Sequence, residues 1–323
     1  MRAIMSSSGA TVLTEVPQPS PGQGEVLVRV RANSLNRADL MMLKGTYVGG
    51  VGGAGFPLGL EWAGEVTELG AAVEDWRVGD RVMGAGLAAF AEYTIGYARR
   101  MYAVPEGMSF EQAATLPVAL QTMHDAISTN GMLIAGQTVL IQGASSAMGL
   151  MGMQVAKLLG AGRVIGTSTS PERRAKLAEF GADVVVDTSA PDWVAQVHSA
   201  TGGNGADLLI DLVAGPFVNG GLQATRIGGR MVNVGRMAGE QGEFDFNLHS
   251  LRRITYVGVT FRTRTPEEVE EVVARTTRAL GPALAKGAVR LPIDKVYRFE
   301  EVAEAFERMA RNQHFGKIVL AHP

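Results

Sequence analysis

The spacing of hydrophobic residues changes character about one third of the way along the chain. Val26, Val28 and Val30 lie at every second position, the period of a half-buried strand. Residues 62–69 and 81–83 predict further short strands, with turn-forming glycines between them. We therefore expect the first hundred or so residues to form a small, barrel-like β domain.

From Ser109 onward the pattern predicts alternating helices and strands. Ser109 has the character of a helix N-cap, with Gln112 at the capping-box position, and a helical pattern continues to about Asn130. Later segments predict strands at 139–142, 164–167, 184–186, 208–210, 231–234, 254–261 and 316–320, and helices at 148–159, 171–180, 193–199, 217–226, 266–286 and 300–311. The alternation between residues 139 and 261 predicts βαβ units around a parallel sheet.

Composition narrows the class of protein. The 323 residues favour two domains, and 30 Lys and Arg against 32 Asp and Glu give no basic surface typical of nucleic-acid binding. No apolar run approaches the ~20 residues of a membrane span, and the N-terminal residues do not resemble a secretory signal, so we expect a cytoplasmic protein. The absence of cysteine excludes disulfides, cysteine-ligated zinc and a thiol nucleophile.

A glycine-containing turn is the first candidate site. It follows the predicted strand 139–142, precedes a predicted helix and consists of Gly143, Ala144, Ser145, Ser146, Ala147, Met148 and Gly149. Small residues in a strand–turn–helix allow a dinucleotide pyrophosphate to approach the backbone and the helix N-terminus. Ser146 stands where a third glycine is usual, and an ordinary tight turn is the alternative interpretation.

The end of the next predicted strand suggests which dinucleotide binds. NAD sites usually place an acidic residue there, but this chain has Thr167 and Ser168, followed by Arg173 and Arg174. A guanidinium binds phosphate well, so Ser168 and Arg173 predict recognition of the NADP 2′-phosphate. The alternative is a pair of solvated arginines on a surface helix.

Several motifs together resemble the medium-chain dehydrogenase/reductase superfamily, and its quinone oxidoreductase branch in particular. Residues 36–40 (N-R-A-D-L) and 44–47 (K-G-T-Y) resemble the N-R-x-D…G-x-Y signature of that branch. Residues 57–66 (P-L-G-L-E-W-A-G-E-V), 78–82 (V-G-D-R-V), 228–232 (G-G-R-M-V) and 315–319 (F-G-K-I-V) resemble superfamily motifs in order and spacing. The resemblance spans essentially the whole chain.

The resemblance implies an α/β protein in which a GroES-like β-rich catalytic domain (1–119 and 263–323) is interrupted by a Rossmann cofactor domain (120–262). It also implies NADP(H) in the cleft between the domains, with Thr122, Val234 and Gly235 beside it. Zinc-dependent relatives have metal ligands at the positions aligned with Asn36, Leu60 and Val118, and all three ligands are missing here. We therefore expect no metal site.

Without zinc, hydride transfer to a quinone or an α,β-unsaturated carbonyl is the expected chemistry, because hydrogen-bond donors can stabilise the charge that reaches its oxygen. Asn36 and Tyr47 are the candidate catalytic donors; the alternatives are a turn amide and a packed loop aromatic. Asp39 is expected to brace Arg37 or nearby backbone. The glycine-rich residues 49–55 predict a mobile loop beside the substrate, or a tolerated surface insertion.

Three functions remain open at this point. The first is an NADPH-dependent quinone or enone reductase. The second is an enoyl-thioester reductase, whose substrate would need a basic entrance for which Arg252, Arg253, Arg262 and Arg264 are the candidates. The third is a non-catalytic NADPH-binding redox sensor or structural protein. In each case strand 254–261 predicts a homodimer, since it would otherwise be an exposed apolar edge.

Overall fold

The computed structural model describes residues 1–47, 55 and 57–323, and it divides into two compact units. The first unit comprises Met1–Val118 and Arg262–Pro323, and the second comprises Ala119–Phe261. The glycine-rich segment 49–55 lies outside the described residues, apart from Gly55. Fifteen strands and ten α-helices are found in the described ranges.

The strands are β1 (Arg2–Ser7), β2 (Ala10–Glu15), β3 (Glu25–Ser34), β4 (Glu61–Leu69), β5 (Arg81–Ala85), β6 (Tyr93–Tyr97), β7 (Met101–Ala103), β8 (Thr138–Gln142), β9 (Arg163–Thr167), β10 (Val184–Val186), β11 (Ala206–Asp211), β12 (Thr225–Asn233), β13 (Thr255–Gly258), β14 (Ile293–Arg298) and β15 (Lys317–Ala321). The helices are α1 (Arg37–Leu43), α2 (Phe110–Ala113), α3 (Pro117–His124), α4 (Ala147–Leu158), α5 (Pro171–Arg174), α6 (Trp193–Ala200), α7 (Val218–Ala224), α8 (Phe246–Arg252), α9 (Pro266–Ala285) and α10 (Val302–Ala310).

The first unit is built on a seven-stranded sheet. Its order is β14-β15-β3-β4-β5-β7, with β6 paired to β3 and a separate β1–β2 hairpin. The long strand β3 pairs with β15, β4 and β6, so the last strand of the chain lies beside one of the first. One core cluster of this unit packs Val26, Val28 and Val30 against Trp62, as the period-two pattern predicts. A second places Phe90 against Phe306 of α10.

The second unit is a six-stranded parallel sheet, and helices connect successive strands in the sequence. Its order is β10-β9-β8-β11-β12-β13, and all five pairings are parallel. The order reverses direction at β8, and the carboxyl ends of β8, β11 and β12 are adjacent because Gln142, Asp211 and Asn233 are in register. Ligands of open parallel sheets bind at this edge. The predicted fold class is confirmed: a GroES-like β-rich domain interrupted by a parallel-sheet Rossmann domain.

Four local predictions need correction. The helix expected at 217–226 ends at Ala224, and Thr225 already begins β12. The helix expected at 171–180 is the short α5 followed by a 3₁₀ turn at Leu177–Phe180. The predicted strand 254–261 is only β13, of four residues. The helix from Ser109 breaks into α2, α3 and a π-helical turn at Asp125–Asn130, although Ser109 caps α2 as predicted, accepting from Gln112 N at 3.2 Å.

Among the described residues, no helix is both long and apolar enough to span a bilayer.

Two glycines of α4 provide a test of the packing at the start of this helix. A Cβ at Gly149 would lie 2.4 Å from the Ala144 backbone, whereas one at Gly152 would make ordinary contacts of 3.4 Å or more with Met123 and Ile141. We expect Gly149→Ala to destabilise the protein by about 1–3 kcal/mol, since backbone atoms must move. Gly152→Ala should be neutral or stabilising by up to about 1 kcal/mol, because alanine favours helix. Urea unfolding of both variants measures this, and equal effects would contradict it.

Candidate active site

The predicted dinucleotide-binding turn lies between β8 and α4 and is hydrogen-bonded to the end of β9. Gly143 has φ +80°, a conformation that glycine adopts without strain, and its N–H donates to Thr167 Oγ1 at 3.1 Å. Ala144 N donates to the Thr167 carbonyl at 2.9 Å. Ala147 and Met148 then open the helix, and Gly149 allows its first turn to contact Ala144.

Ser146 explains why this turn needs no third glycine. Its φ is −79°, which any residue adopts, and it is the N-cap of α4. Its hydroxyl accepts from Gly149 N at 3.1 Å and donates to the Gly143 carbonyl at 2.9 Å. The serine thus satisfies an N–H of the helix start and stabilises the turn.

The predicted 2′-phosphate residues adjoin this turn. Ser168 Oγ donates to Ser145 Oγ at 3.0 Å, so the ends of β8 and β9 are joined by hydroxyls. Arg174 donates to the Ser168 carbonyl at 2.7 Å and forms an ion pair with Asp187 at 2.8 Å. Arg173, in the same first turn of α5, is capped through its N–H by Ser170 Oγ. Arg174 therefore has an acidic partner, and contact of Arg173 with a 2′-phosphate stays a prediction.

Three buried polar residues at the carboxyl edge of the sheet were not predicted from the sequence. Asp211 accepts from Val213 N at 2.8 Å and Ala214 N at 2.9 Å, and burial raises the pKa of its carboxyl group. Asn233 lies in register beside Asp211. Gln142 is 1% exposed, and neither atom of its amide has a hydrogen-bond partner within the described residues.

Val234 and Gly235 continue β12 past this edge, and both N–H groups donate to the Asp211 carbonyl, at 2.8 and 3.1 Å. A Cβ at Gly235 would lie 2.6 Å from the Leu212 carbonyl oxygen, so this close backbone approach requires glycine. Thr122 is half-buried on α3. The predicted residues of the turn, the β9 end and the β12 end therefore line one edge of the sheet, where the small-residue turn and the N-terminus of α4 are the features that would hold a pyrophosphate.

The first unit holds the two candidate catalytic residues. Asn36 is separated from the end of β3 by one residue and is the N-cap of α1, where its N–H donates to Asp39 Oδ2 at 2.6 Å. Asp39 thus braces backbone, as expected, while Arg37 instead donates to Asn312 at 2.7 Å. The Asn36 side chain is only 8% exposed.

A buried charged network fixes the Asn36 amide. Asn36 Nδ2 donates to Glu61 Oε1 at 2.9 Å, and Lys317 Nζ donates to Asn36 Oδ1 at 2.9 Å. Lys317 and Glu61 form an ion pair with side-chain exposures of 2% and 0%. Glu61 also accepts from Ser34 Oγ at 2.5 Å and from Val118 N at 3.0 Å. The carboxylate of Glu61 therefore joins the ends of β3, β4, β15 and the start of α3.

Tyr47 lies at the end of the described segment before residue 48. It is half-buried against the core cluster that contains Phe90 and Phe306, and the guanidinium of Arg262 lies 5.7 Å from its ring centroid. Burial raises the pKa of the Tyr47 phenol, and the charge of Arg262 opposes this rise. The phenol is therefore protonated at neutral pH and can donate a proton or a hydrogen bond.

The positions aligned with zinc ligands now have other roles. Asn36 belongs to the Lys317–Glu61 network, and Val118 contributes a backbone N–H to it. Leu60 packs against the apolar core cluster. In the described part of the chain, no three His, Asp or Glu side chains are grouped as a metal site would need. The prediction of a zinc-independent protein remains to be tested by metal analysis.

The sequence motifs contained Glu61 and Lys317, but their role was missed. Both lie in segments that resemble superfamily motifs, at 57–66 and 315–319. A carboxylate inside an apolar strand and a lysine at the start of another are each costly to bury alone. The cost of burying either charge alone could have predicted, from the sequence, that the two residues form a pair.

Two family models match the chain in series. Residues 22–111 match the alcohol dehydrogenase GroES-like domain, and residues 147–278 match the zinc-binding dehydrogenase family. Fold, turn and both matches define an oxidoreductase of the two-domain, dinucleotide-binding class. The chain belongs to the medium-chain dehydrogenase/reductase superfamily, whose members use nicotinamide cofactors.

Similar proteins include parts of very long enzymes. The chain is 29% identical to a mycocerosic acid synthase-like polyketide synthase of Mycolicibacterium smegmatis, over 100% of this chain and 15% of that protein. It therefore spans about a seventh of the length of that curated relative.

Solved structures of similar fold cover nearly the whole chain. An alcohol dehydrogenase superfamily protein from Novosphingobium aromaticivorans has a TM-score of 0.90 at 26% identity, over 99% of this chain and 98% of that one. The ER cyclopropanase CurF of the curacin A biosynthetic pathway has a TM-score of 0.84 at 25% identity, over 100% and 99% of the two chains.

The buried carboxyl group of Asp39 gives this unit a testable pH dependence. Asp39 is fully buried, its Oδ1 has no partner among the described residues, and burial raises its pKa to about 7. An aspartate of an unfolded chain has a pKa of about 3.9. Since the folded-state pKa is the higher one, the stability that the protonated group contributes is present below pH ~4 and is lost as the pH rises through ~7.

We expect Asp39→Asn to remove this loss. The free energy of unfolding of wild type relative to the variant should fall by up to about 4 kcal/mol between pH 4 and pH 8. Urea unfolding at several pH values measures the difference. Asp75→Asn, at an exposed position, is the control. A difference that is independent of pH would show that Asp39 is ionised throughout.

Proposed function

We propose that this chain is a nicotinamide-dependent, zinc-independent reductase that adds hydride to the conjugated double bond of an α,β-unsaturated carbonyl compound. The observation that carries the proposal is the set of hydrogen bonds that hold the side-chain amide of Asn36. Where zinc-dependent relatives have a metal ligand, this side chain is an amide held by Lys317 and Glu61. It can offer an N–H to an oxygen anion where relatives offer a Lewis acid.

The reduced nicotinamide, when bound, supplies the hydride. The β-carbon of the acceptor gains hydrogen with its electron pair, the carbon–carbon π bond breaks, and negative charge reaches the carbonyl oxygen. Asn36 stabilises that oxygen through its amide N–H. Tyr47, protonated at neutral pH, provides the proton that completes the saturated product.

Among conjugated carbonyl substrates, enoyl thioesters have the most support. The curated relative is a polyketide synthase and a similar solved structure is an ER cyclopropanase of a biosynthetic pathway. Reduction of a quinone or an enone, the first function considered from the sequence, uses the same hydride chemistry and is the second candidate here. Of the predicted basic entrance, Arg252 donates to the Thr225 carbonyl at 2.6 Å, so this arginine is not part of the proposed contact with a thioester's phosphate groups.

We further propose a homodimer formed along β13. This strand ends the sheet and has no partner on its outer side within the described residues. The helix α8, which precedes β13 in the chain, exposes 77% of Phe246 and 68% of Leu251. A symmetric contact between two copies would cover both features.

The cofactor prediction rests on Ser168 and Arg173. We expect Arg173→Ala to raise the Kd of NADPH about ten- to hundredfold, since a charge-assisted hydrogen bond contributes about 1.5–3 kcal/mol. The Kd of NADH should change less than about twofold, because it lacks the 2′-phosphate. Fluorescence titration with both cofactors measures this, with the exposed Arg278→Ala as control. Equal losses for NADPH and NADH would reject the assignment.

The catalytic prediction is tested with crotonyl-CoA, an enone and a quinone in single turnover. We expect Asn36→Ala to slow hydride transfer to crotonyl-CoA about a hundredfold and Tyr47→Phe about tenfold, because each removes a donor to the developing anion. NADPH affinity should hardly change, since both residues act on the substrate.

The same panel distinguishes the competing functions. Quinone turnover that exceeds thioester turnover would favour the second candidate. Failure to oxidise NADPH with any acceptor, together with tight NADPH binding, would indicate a non-catalytic protein. Unchanged rates in both variants would show that Asn36 and Tyr47 only shape the pocket.

A further inference from the structure

Burying the Lys317–Glu61 pair in a small β domain is unfavourable in desolvation free energy. Both side chains are almost fully buried, at 2% and 0% exposure. Removing two charges from water costs several kcal/mol per ion, and apolar residues of similar volume are often as stable. Stability alone therefore does not explain why the core of this domain contains the pair.

All hydrogen-bond donors of Lys317 are used inside the protein. Its ammonium group donates to the Leu35 carbonyl at 3.3 Å, to Asn36 Oδ1 at 2.9 Å and to Glu61 Oε1. An ammonium group has three N–H donors. Lys317 thus has none left for a substrate, and any effect that it has on the reaction must pass through its neighbours.

The chemistry of these neighbours determines how the Asn36 amide is oriented. A lysine only donates and a carboxylate only accepts, so the amide oxygen must face Lys317 and the amide nitrogen must face Glu61. One N–H of the amide is used by Glu61. The second N–H makes no hydrogen bond within the described residues, so it is the donor that remains for a ligand.

The charge of Lys317 also decides the sign of the field at that N–H. Glu61 Oε1 lies 2.9 Å from Asn36 Nδ2, so an unpaired Glu61 would repel a developing oxygen anion. Lys317 neutralises this carboxylate and, by bonding to the amide oxygen, polarises the amide so that its free N–H becomes a stronger donor.

We propose that Lys317 is a positioning residue for the reaction, acting through Asn36: it orients the amide, polarises it and cancels the charge of Glu61, so that the free N–H receives the anionic oxygen of the substrate. This inference rests on the proposed function, since it needs Asn36 to contact that oxygen.

The kinetic test is a double-mutant cycle in single turnover with crotonyl-CoA and NADPH. We expect Lys317→Met to slow hydride transfer at least about tenfold, and the KM for crotonyl-CoA to change less than about threefold. In the Asn36→Ala background the same substitution should slow the reaction less than about threefold, because orientation and polarisation act through the missing amide and only the uncancelled charge of Glu61 is left to act. Lys286→Met, at an exposed position of the same unit, is the control.

A second variant keeps the test decisive if Lys317→Met fails to fold, as an unpaired buried Glu61 could cause. Lys317→Met/Glu61→Gln leaves no net charge in the network and retains a hydrogen-bonding partner for Asn36. It should fold and still slow hydride transfer, by about three- to tenfold, since the fixed orientation and the polarisation of the amide are lost while no unpaired charge is left.

The NMR signal of the Asn36 side-chain amide is a readout that requires no turnover. It is recorded in ¹⁵N-asparagine-labelled protein without cofactor, and its loss in Asn36→Ala assigns it. Both lysine variants should move the free amide proton upfield, as expected for a less polarised N–H, and Lys286→Met should not. An unmoved resonance would overturn the inference.

The possible failures are distinguishable. If Asn36→Ala leaves hydride transfer unchanged, Asn36 does not receive the oxygen, and the proposed catalytic role is wrong. If Asn36→Ala slows the reaction but the effect of Lys317→Met is equally large in both backgrounds, the catalytic role stands and the role of Lys317 is only structural.

Discussion

The first unit depends on one buried ion pair that joins distant parts of the chain. Lys317 begins β15 and Glu61 begins β4, 256 residues earlier. Between them they hold Ser34 at the end of β3, Asn36 before α1 and the backbone of Val118 at the start of α3. A charge at this depth is tolerated only with complete hydrogen bonding, so the positions of these five segments are interdependent.

This interdependence has a chemical consequence. An enzyme that stabilises an anion needs a donor whose direction does not change when the charge appears, because reorganisation then costs nothing during the reaction. Asn36 has such a direction, since its oxygen and nitrogen face partners that cannot exchange roles. In the proposed reaction the Asn36 amide, beside a Lys317–Glu61 pair without net charge, stabilises the anion less strongly than the metal ion of zinc-dependent relatives would. Weaker stabilisation matches a conjugated acceptor, in which the charge is delocalised.

In the second unit the candidate anion site is formed by backbone groups and not by charged side chains. Gly143, Gly149 and Gly235 each allow two backbone segments to approach at distances that a Cβ would prevent or with a φ that glycine favours. Hydroxyls of Ser145, Thr167 and Ser168 then connect the turn to the neighbouring strand end. Such an arrangement presents N–H groups and a helix N-terminus to an anion without a buried positive charge.

How far the sequence could predict the fold depended on whether an element buries one face. The strand–turn–helix at β8 and α4 was predicted almost to the residue, because a buried strand and a small-residue turn are local signals. The capping role of Ser146 was found only in the structure. The strand β2 and helix α8 were missed. Five of six residues of β2 are exposed and α8 buries none, so neither has an amphipathic period. Thr225 was assigned to a helix because the helical pattern before it continues, whereas pairing with β11 makes it a strand.

The sequence by itself determined the class of fold, the place of the dinucleotide turn and the residue types available for chemistry, since each is set by neighbours within about a dozen positions. Only the tertiary structure decided that Asn36 lies between Lys317 and Glu61, that Arg174 is paired with Asp187, and that Gln142 and Asp211 share one sheet edge. These relations join residues separated by many positions in the chain. They follow from strand order and register, which local periodicity does not encode.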